Sequence, residues 1–146
     1  LRDQKVEKSK MVKIDVSYDG NLRCSATHSQ SGTLLHTDAP KDNHGWGESF
    51  SPTDLLATAL GTCMLTVMGI AARRLEIDLS GVSATVLKEM TASPPRRVAS
   101  LTVSVRGPAQ MSDENRRALE DAALTCPVHK SLHPDVKLLI QFAWEE

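Results

Sequence analysis

The segment Ser51–Arg74, SPTDLLATALGTCMLTVMGIAARR, decides the fold. It opens with helix-start signals. Ser51 suits an N-cap, Pro52 the first helical position, and Asp54 puts a carboxylate where it complements the helix dipole. No charged residue follows from Leu55 to Ala72, and Arg73 and Arg74 then supply cations at the C-terminal end. Leu56, Leu60, Cys63, Val67 and Ile70 recur at helical spacing, which places Cys63 on the main apolar stripe. The run is only just long enough for a membrane span, and Gly61, Gly69, Thr58, Thr62 and Thr66 dilute it. It reads as a core helix, apolar nearly all round and buried on most sides. The thiol at its middle is the most informative residue in the chain.

Composition bounds the rest. A chain of 146 residues is large enough for a real core and predicts a single domain. The formal net charge is −1, with both signs scattered, so there is no electrostatic footprint for nucleic acid or an anionic membrane. Aromatics are confined to Tyr18, Trp46, Phe50, Phe142 and Trp144, too few for a base-stacking platform, and the core falls to Leu, Val, Ala, Ile and Met. Three cysteines without a signal peptide predict a reducing, cytoplasmic setting rather than a disulfide scaffold. Residues 1–10 precede the first Met and read as a native extension or an expression remnant, leaving 11–146 as the folded domain.

Working outward, Lys10 to Ser17 alternates as a strand, with Val12, Ile14, Val16 and Tyr18 on one face. Asp19-Gly20-Asn21 is a hairpin signal, and Leu22 to Thr27 returns as a second strand with Arg23 and Cys24 on opposite faces. A turn over Ser29–Gly32 leads to a third short strand, Thr33–Thr37. Asp38–Phe50, DAPKDNHGWGESF, has no periodicity, and loops of this length are usually functional or disordered. Beyond the long helix, Val82–Met90 carries Val82, Ala84, Val86 and Lys88 on one face, and Val98–Val105 pairs with it as an antiparallel hairpin. Ser112 caps a second helix whose inner face is Leu119, Ala122, Ala123 and Cys126. Pro127 ends or breaks that helix at the cysteine. Val136–Trp144 is a last strand. The order predicts an α+β domain with mainly antiparallel pairing.

For Cys63 the ordinary reading is a small buried hydrophobe. Cys126, in TCPVHKSLHP, has a different setting. At a helix end its thiol can feel free backbone N–H groups that favour thiolate, with His129 and Lys130 adding positive charge. Cys24 reads as structural. A zinc site built from Cys63, Cys126, His129 and His133 has a single C-x-x-H and lacks the paired C-x-x-C that makes such sites recognisable. His28, His36 and His44 read as solvated singletons. There is no nucleophile elbow and no glycine-rich phosphate loop.

SPTDLLATALGTCM, followed more than sixty residues later by TCPVHKSL, resembles the OsmC/Ohr family of thiol-dependent peroxide reductases over nearly the whole chain. TDAPKDNHGWGESFSPTDL and CPVHKSLHP resemble its OsmC-like branch more than the organic hydroperoxide resistance branch. The resemblance implies an intertwined homodimer in which antiparallel sheets wrap a pair of long central helices, with two sites at the subunit interface. By position Cys63 matches the peroxidatic cysteine and Cys126 the resolving one. The implied cycle takes an organic hydroperoxide as substrate, forms a Cys63 sulfenic acid and then a Cys63–Cys126 disulfide, and uses a dithiol reductant. It needs no metal or other cofactor.

The resemblance also implies an arginine from the N-terminal strands as the cation that lowers the thiol's pKa, and Arg23 matches it. Studied branches carry a glutamate ten residues before the peroxidatic cysteine to orient that arginine; here the position holds Thr53. Asp54 is adjacent but about 100° further around the helix, and Glu48 in the preceding loop is another substitute. Two rival readings stay open: a binding module holding a small apolar or electrophilic ligand, and a thiol sensor or transferase modified at Cys63. Loss of the glutamate favours the first rival, while both cysteines and Arg23 favour the peroxidase.

Overall fold

The computed structural model describes residues 11–145. These residues group into two compact units that divide between Pro52 and Thr53.

The N-terminal unit is a three-stranded antiparallel sheet in the order β1-β2-β3, with β1 Ile14–Gly20, β2 Arg23–His28 and β3 Leu34–Asp38. Strand β1 begins later than its alternation suggests, and Lys10 of the expected strand lies outside the described residues. The turn at Asp19-Gly20-Asn21 forms as its residues dictate. Gly20, Asn21 and Leu22 all take positive φ (88°, 54° and 61°), and the register shifts before Gly20 pairs with Arg23. Gly and Asn adopt that region readily, but a leucine there is strained. Arg23 therefore sits directly after a forced turn. The long loop is not shapeless: it contains a single 3-10 turn, Lys41–Asn43, and is tied back to β3.

The C-terminal unit holds a second three-stranded sheet in the order β4-β5-β6, with β4 Ser83–Met90, β5 Val98–Pro108 and β6 Lys137–Glu145. Helix α1, Pro52–Arg74, packs with helix α2, Asp113–Ala123, and a short helix α3, Pro127–Ser131. Strands β4 and β5 pair antiparallel as expected. Strands β5 and β6 pair parallel, with Leu101 opposite Leu138 and Val103 opposite Ile140. A parallel neighbour needs a crossover, and α2 with α3 supplies it. The α+β class holds, with one parallel pair in its second sheet.

The core of this unit is Leu60, Met64, Met68 and Ala72 of α1 against Leu101, Val103 and Val105 of β5 and Leu119, Ala123 and Cys126. Burial of each large apolar side chain contributes about 1.5–3 kcal/mol. The buried stripe of α1 is thus Ala57, Leu60, Gly61, Met64, Met68 and Ala72, one step round from the spacing read in the sequence. Leu56 and Ile70 are exposed, and Cys63 and Val67 lie at the flank, half-buried. By length and mean hydropathy (1.9) α1 would also suit a membrane, but this row of core contacts is what its inner face makes. Gly61 is where helix meets sheet, since a Cβ there would stand 2.8 Å from Val86 Cγ2.

Candidate functional site

Two groups of side chains carry chemistry, one in each unit.

In the C-terminal unit, the sequence places the two cysteines on elements that the core brings together. Helix α2 stops at Ala123, three residues short of Cys126. Cys126 is not the end of that helix, as its position before Pro127 had suggested, but the N-cap of α3, with Pro127 at the first helical position. Its Sγ accepts a hydrogen bond from the backbone N–H of His129 at 3.2 Å. The Cys126 side chain is fully buried in the core against which Cys63 packs, and the two thiols are close enough to influence each other's ionisation. Burial pushes the Cys126 thiol above its ordinary pKa, and the neighbouring Cys63 adds to this, while the His129 and Val128 N–H groups only partly oppose it. The backbone N–H groups favour thiolate as the sequence suggested, but desolvation outweighs them. Cys126 therefore keeps its proton at neutral pH, and half-buried Cys63 is the thiol more open to a reactant. His129 Nδ1 is buried without a hydrogen-bond partner.

At the start of α1, Lys88 Nζ lies 2.7 Å from Asp54 Oδ1 and donates to Thr53 Oγ1 at 2.8 Å. The lysine is only 15% exposed. The sequence signal was present, because Lys88 follows Val82, Ala84 and Val86 on the inner face of β4. Thr53 and Asp54 are both engaged by this ammonium.

In the N-terminal unit, Arg23 opens β2 next to the strained turn. Its Nη2 donates to Glu48 Oε2 at 2.7 Å and lies 3.6 Å from Asp38 Oδ2. Its guanidinium carbon stands 5.1 Å from the centroid of the Trp46 ring, a cation–π distance. The hydrogen bond from Arg23 to Glu48, with charge attraction to Asp38 and Glu48, holds the guanidinium above its ordinary pKa against the opposing effect of burial. A cleft of about 250 Å³ beside it is lined by Asp19, Asn21, Arg23, His36, Asp38 and Glu48 among others. Cys24 also lines this cleft and is half-buried. Asp38 and Trp46 were not singled out in the sequence, although an aromatic set between Gly45 and Gly47 in a polar loop was a usable signal.

The structure therefore brings Cys63 to Cys126 and Arg23 to Glu48. Among the described residues, no three His, Cys, Asp or Glu side chains are placed to hold a metal ion.

Comparison with known proteins follows the same lines. Residues 45–140 match the family model described as OsmC-like protein. A crystal structure from Psychrobacter arcticus 273-4, of a protein provisionally assigned to osmotic stress and detoxification responses, is 48% identical. That similarity covers 90% of this chain and 96% of the other, with a TM-score of 0.85. Two more distant structures, each 16% identical, share the fold. One is an organic hydroperoxide resistance protein from Legionella pneumophila (TM-score 0.72, 91% and 96% coverage). The other is an OsmC-like protein from Mycoplasma pneumoniae (TM-score 0.78, 94% and 99% coverage). No curated protein matches. With one thiol on the long helix, a second at the N-cap of α3, and a family match over residues 45–140, the chain belongs to the OsmC-like family.

Proposed function

We propose that the protein is a thiol-dependent peroxidase that reduces organic hydroperoxides. The observation that carries this reading is the proximity of half-buried Cys63 to fully buried Cys126 in one core. The Cys63 thiolate attacks the terminal oxygen of R–O–O–H. An S–O bond forms, the O–O bond breaks, and the alkoxide leaves and takes up a proton as the alcohol. Sulfur is oxidised to sulfenic acid and the peroxide is reduced. Cys126 then condenses with the sulfenic acid; its proton and the sulfenic hydroxyl depart as water, and a disulfide remains. A dithiol reductant restores both thiols by exchange. Val67, one turn on from Cys63 along the same face of α1 and half-buried, suits an organic rather than an ionic substrate.

In this reading Arg23 stabilises the Cys63 thiolate and Glu48 takes over the orienting role of the family glutamate; the 2.7 Å Arg23–Glu48 bond supports the second assignment. The active form is a homodimer. Leu56 and Ile70 on α1 are 36% and 51% exposed, and Ile14, Val16 and Tyr18 on one face of β1 are 59–67% exposed. Apolar surface of this extent is unusual for a monomer.

A second reading, ligand binding without turnover, is favoured by Thr53 standing in the usual glutamate position and by the adjacent carboxylate, Asp54, being paired with Lys88. Dithiothreitol-coupled reduction of cumene hydroperoxide separates the two. Wild type turns over, Cys63→Ser falls to background, and Arg23→Ala loses about 10²-fold or more. No turnover by reduced wild type would leave the binding reading in place.

A further inference from the structure

Asp38, the last residue of β3, is the one fully buried charged side chain among the described residues. Ionised carboxylates are seldom buried without a partner that requires them. Its Oδ2 accepts from the backbone N–H of Glu48 at 3.0 Å and lies 3.6 Å from Arg23 Nη2. Its own N–H donates to the Phe50 carbonyl, the next N–H, of Ala39, donates to the Leu22 carbonyl, and Gly47 N–H returns to Ala39. One residue therefore joins the strained turn before Arg23, the end of β3 and the loop that carries Trp46 and Glu48. Gly45 belongs to the same knot, because a Cβ there would run into the Ala39 carbonyl.

The other carboxylate on Arg23 is different in kind. Glu48 is 61% exposed, so its bond to Arg23 is screened and orients the guanidinium only when the loop that carries it is itself held in place. Asp38 is only 3% exposed and its charge is less screened. Asp38 Oδ1 and Arg23 Nε are both buried without a hydrogen-bond partner. Their burial is consistent with the guanidinium being held by charge and by the Trp46 ring as well as by its bond to Glu48.

We propose that Asp38 is the positioning residue for Arg23, fixing the guanidinium directly and placing Glu48 and Trp46 around it. The proposal rests on the reading that Arg23 activates Cys63. The test is a double-mutant cycle on the full-length reduced protein with Asp38→Asn and Arg23→Ala. The asparagine keeps the size and an acceptor for the Glu48 N–H but removes the charge. Three readouts are taken: kcat/KM for cumene hydroperoxide, the rate of Cys63 alkylation by iodoacetamide, and Trp46 emission in a Trp144→Phe background.

Asp38→Asn is expected to lower both rates about tenfold, to shift the Trp46 emission, and to cost nothing further in the Arg23→Ala background. Rates equal to wild type, or an equal loss with and without Arg23, would overturn the proposal. If Arg23→Ala itself leaves both rates unchanged, the activating role of Arg23 fails. Trp46 emission then decides the positioning claim alone: a shift in Asp38→Asn sustains it and no shift overturns it. Should Asp38→Asn fail to fold, Asp38→Ser, which also offers the Glu48 N–H an acceptor, takes its place in the same cycle.

Discussion

Cys126 is fully buried and Cys63 only partly so, and this difference sets which thiol a reagent meets first. In the reduced protein at neutral pH, iodoacetamide is expected to label Cys63 at least about tenfold faster than Cys126, read by peptide mass spectrometry; equal rates would contradict the assigned asymmetry. Cys126 also carries a pH signature. Well below its ordinary value of 9.0 the thiol is protonated both folded and unfolded. As pH rises through that value the unfolded chain gives up the proton while the folded chain keeps it, so stability falls until the raised folded pKa is passed. Urea denaturation should show this decline setting in as pH passes 9.0, at no more than about 1.4 kcal/mol per pH unit, with a shallower slope in Cys126→Ala. At this scale the two cysteines that the core brings together stood out in the sequence, and Arg23 only through the family resemblance. Asp38 did not, because a carboxylate at the start of a polar, aperiodic loop looks solvated until the chain folds over it.

Helix α1 shows what a pattern does and does not specify. Its existence and ends were plain from Pro52, Asp54 and the closing arginines, and the helix runs Pro52–Arg74 as those signals indicate. Its rotation was not, since a helix apolar nearly all round has no strong periodic signal, and the phase is set by what packs on it. Val103 and Leu119 are among the side chains that select Leu60 and Met64 over Leu56 and Ile70. Leu60→Ala should therefore destabilise the protein by about 2–5 kcal/mol, whereas Leu56→Ala should change the stability of the isolated chain by less than about 1 kcal/mol. Thermal or urea melts at low protein concentration check both. The parallel β5–β6 pair escaped for a related reason: alternation reveals a strand but not its neighbour, and only the α2–α3 crossover fixes the direction.

At the scale of the whole molecule, the apolar side chains left on the surface of α1 and β1 belong to the proposed dimer. Thr62 and Thr66 are exposed near Ile70, and a Cβ at Gly69 would meet nothing, so this face has room for close approach. Ile70→Glu should shift the protein from dimer toward monomer in light scattering at micromolar concentration and weaken peroxide turnover with it. A dimer unchanged by that substitution would move the interface elsewhere.

The central claim is that Cys63 and Cys126 form one redox pair. The most direct measurement is mass spectrometry with peptide mapping of the reduced protein after one equivalent of cumene hydroperoxide. A Cys63–Cys126 disulfide formed within seconds and reversed by dithiothreitol is the predicted result; unmodified cysteines, or a disulfide that appears only over hours, would contradict it.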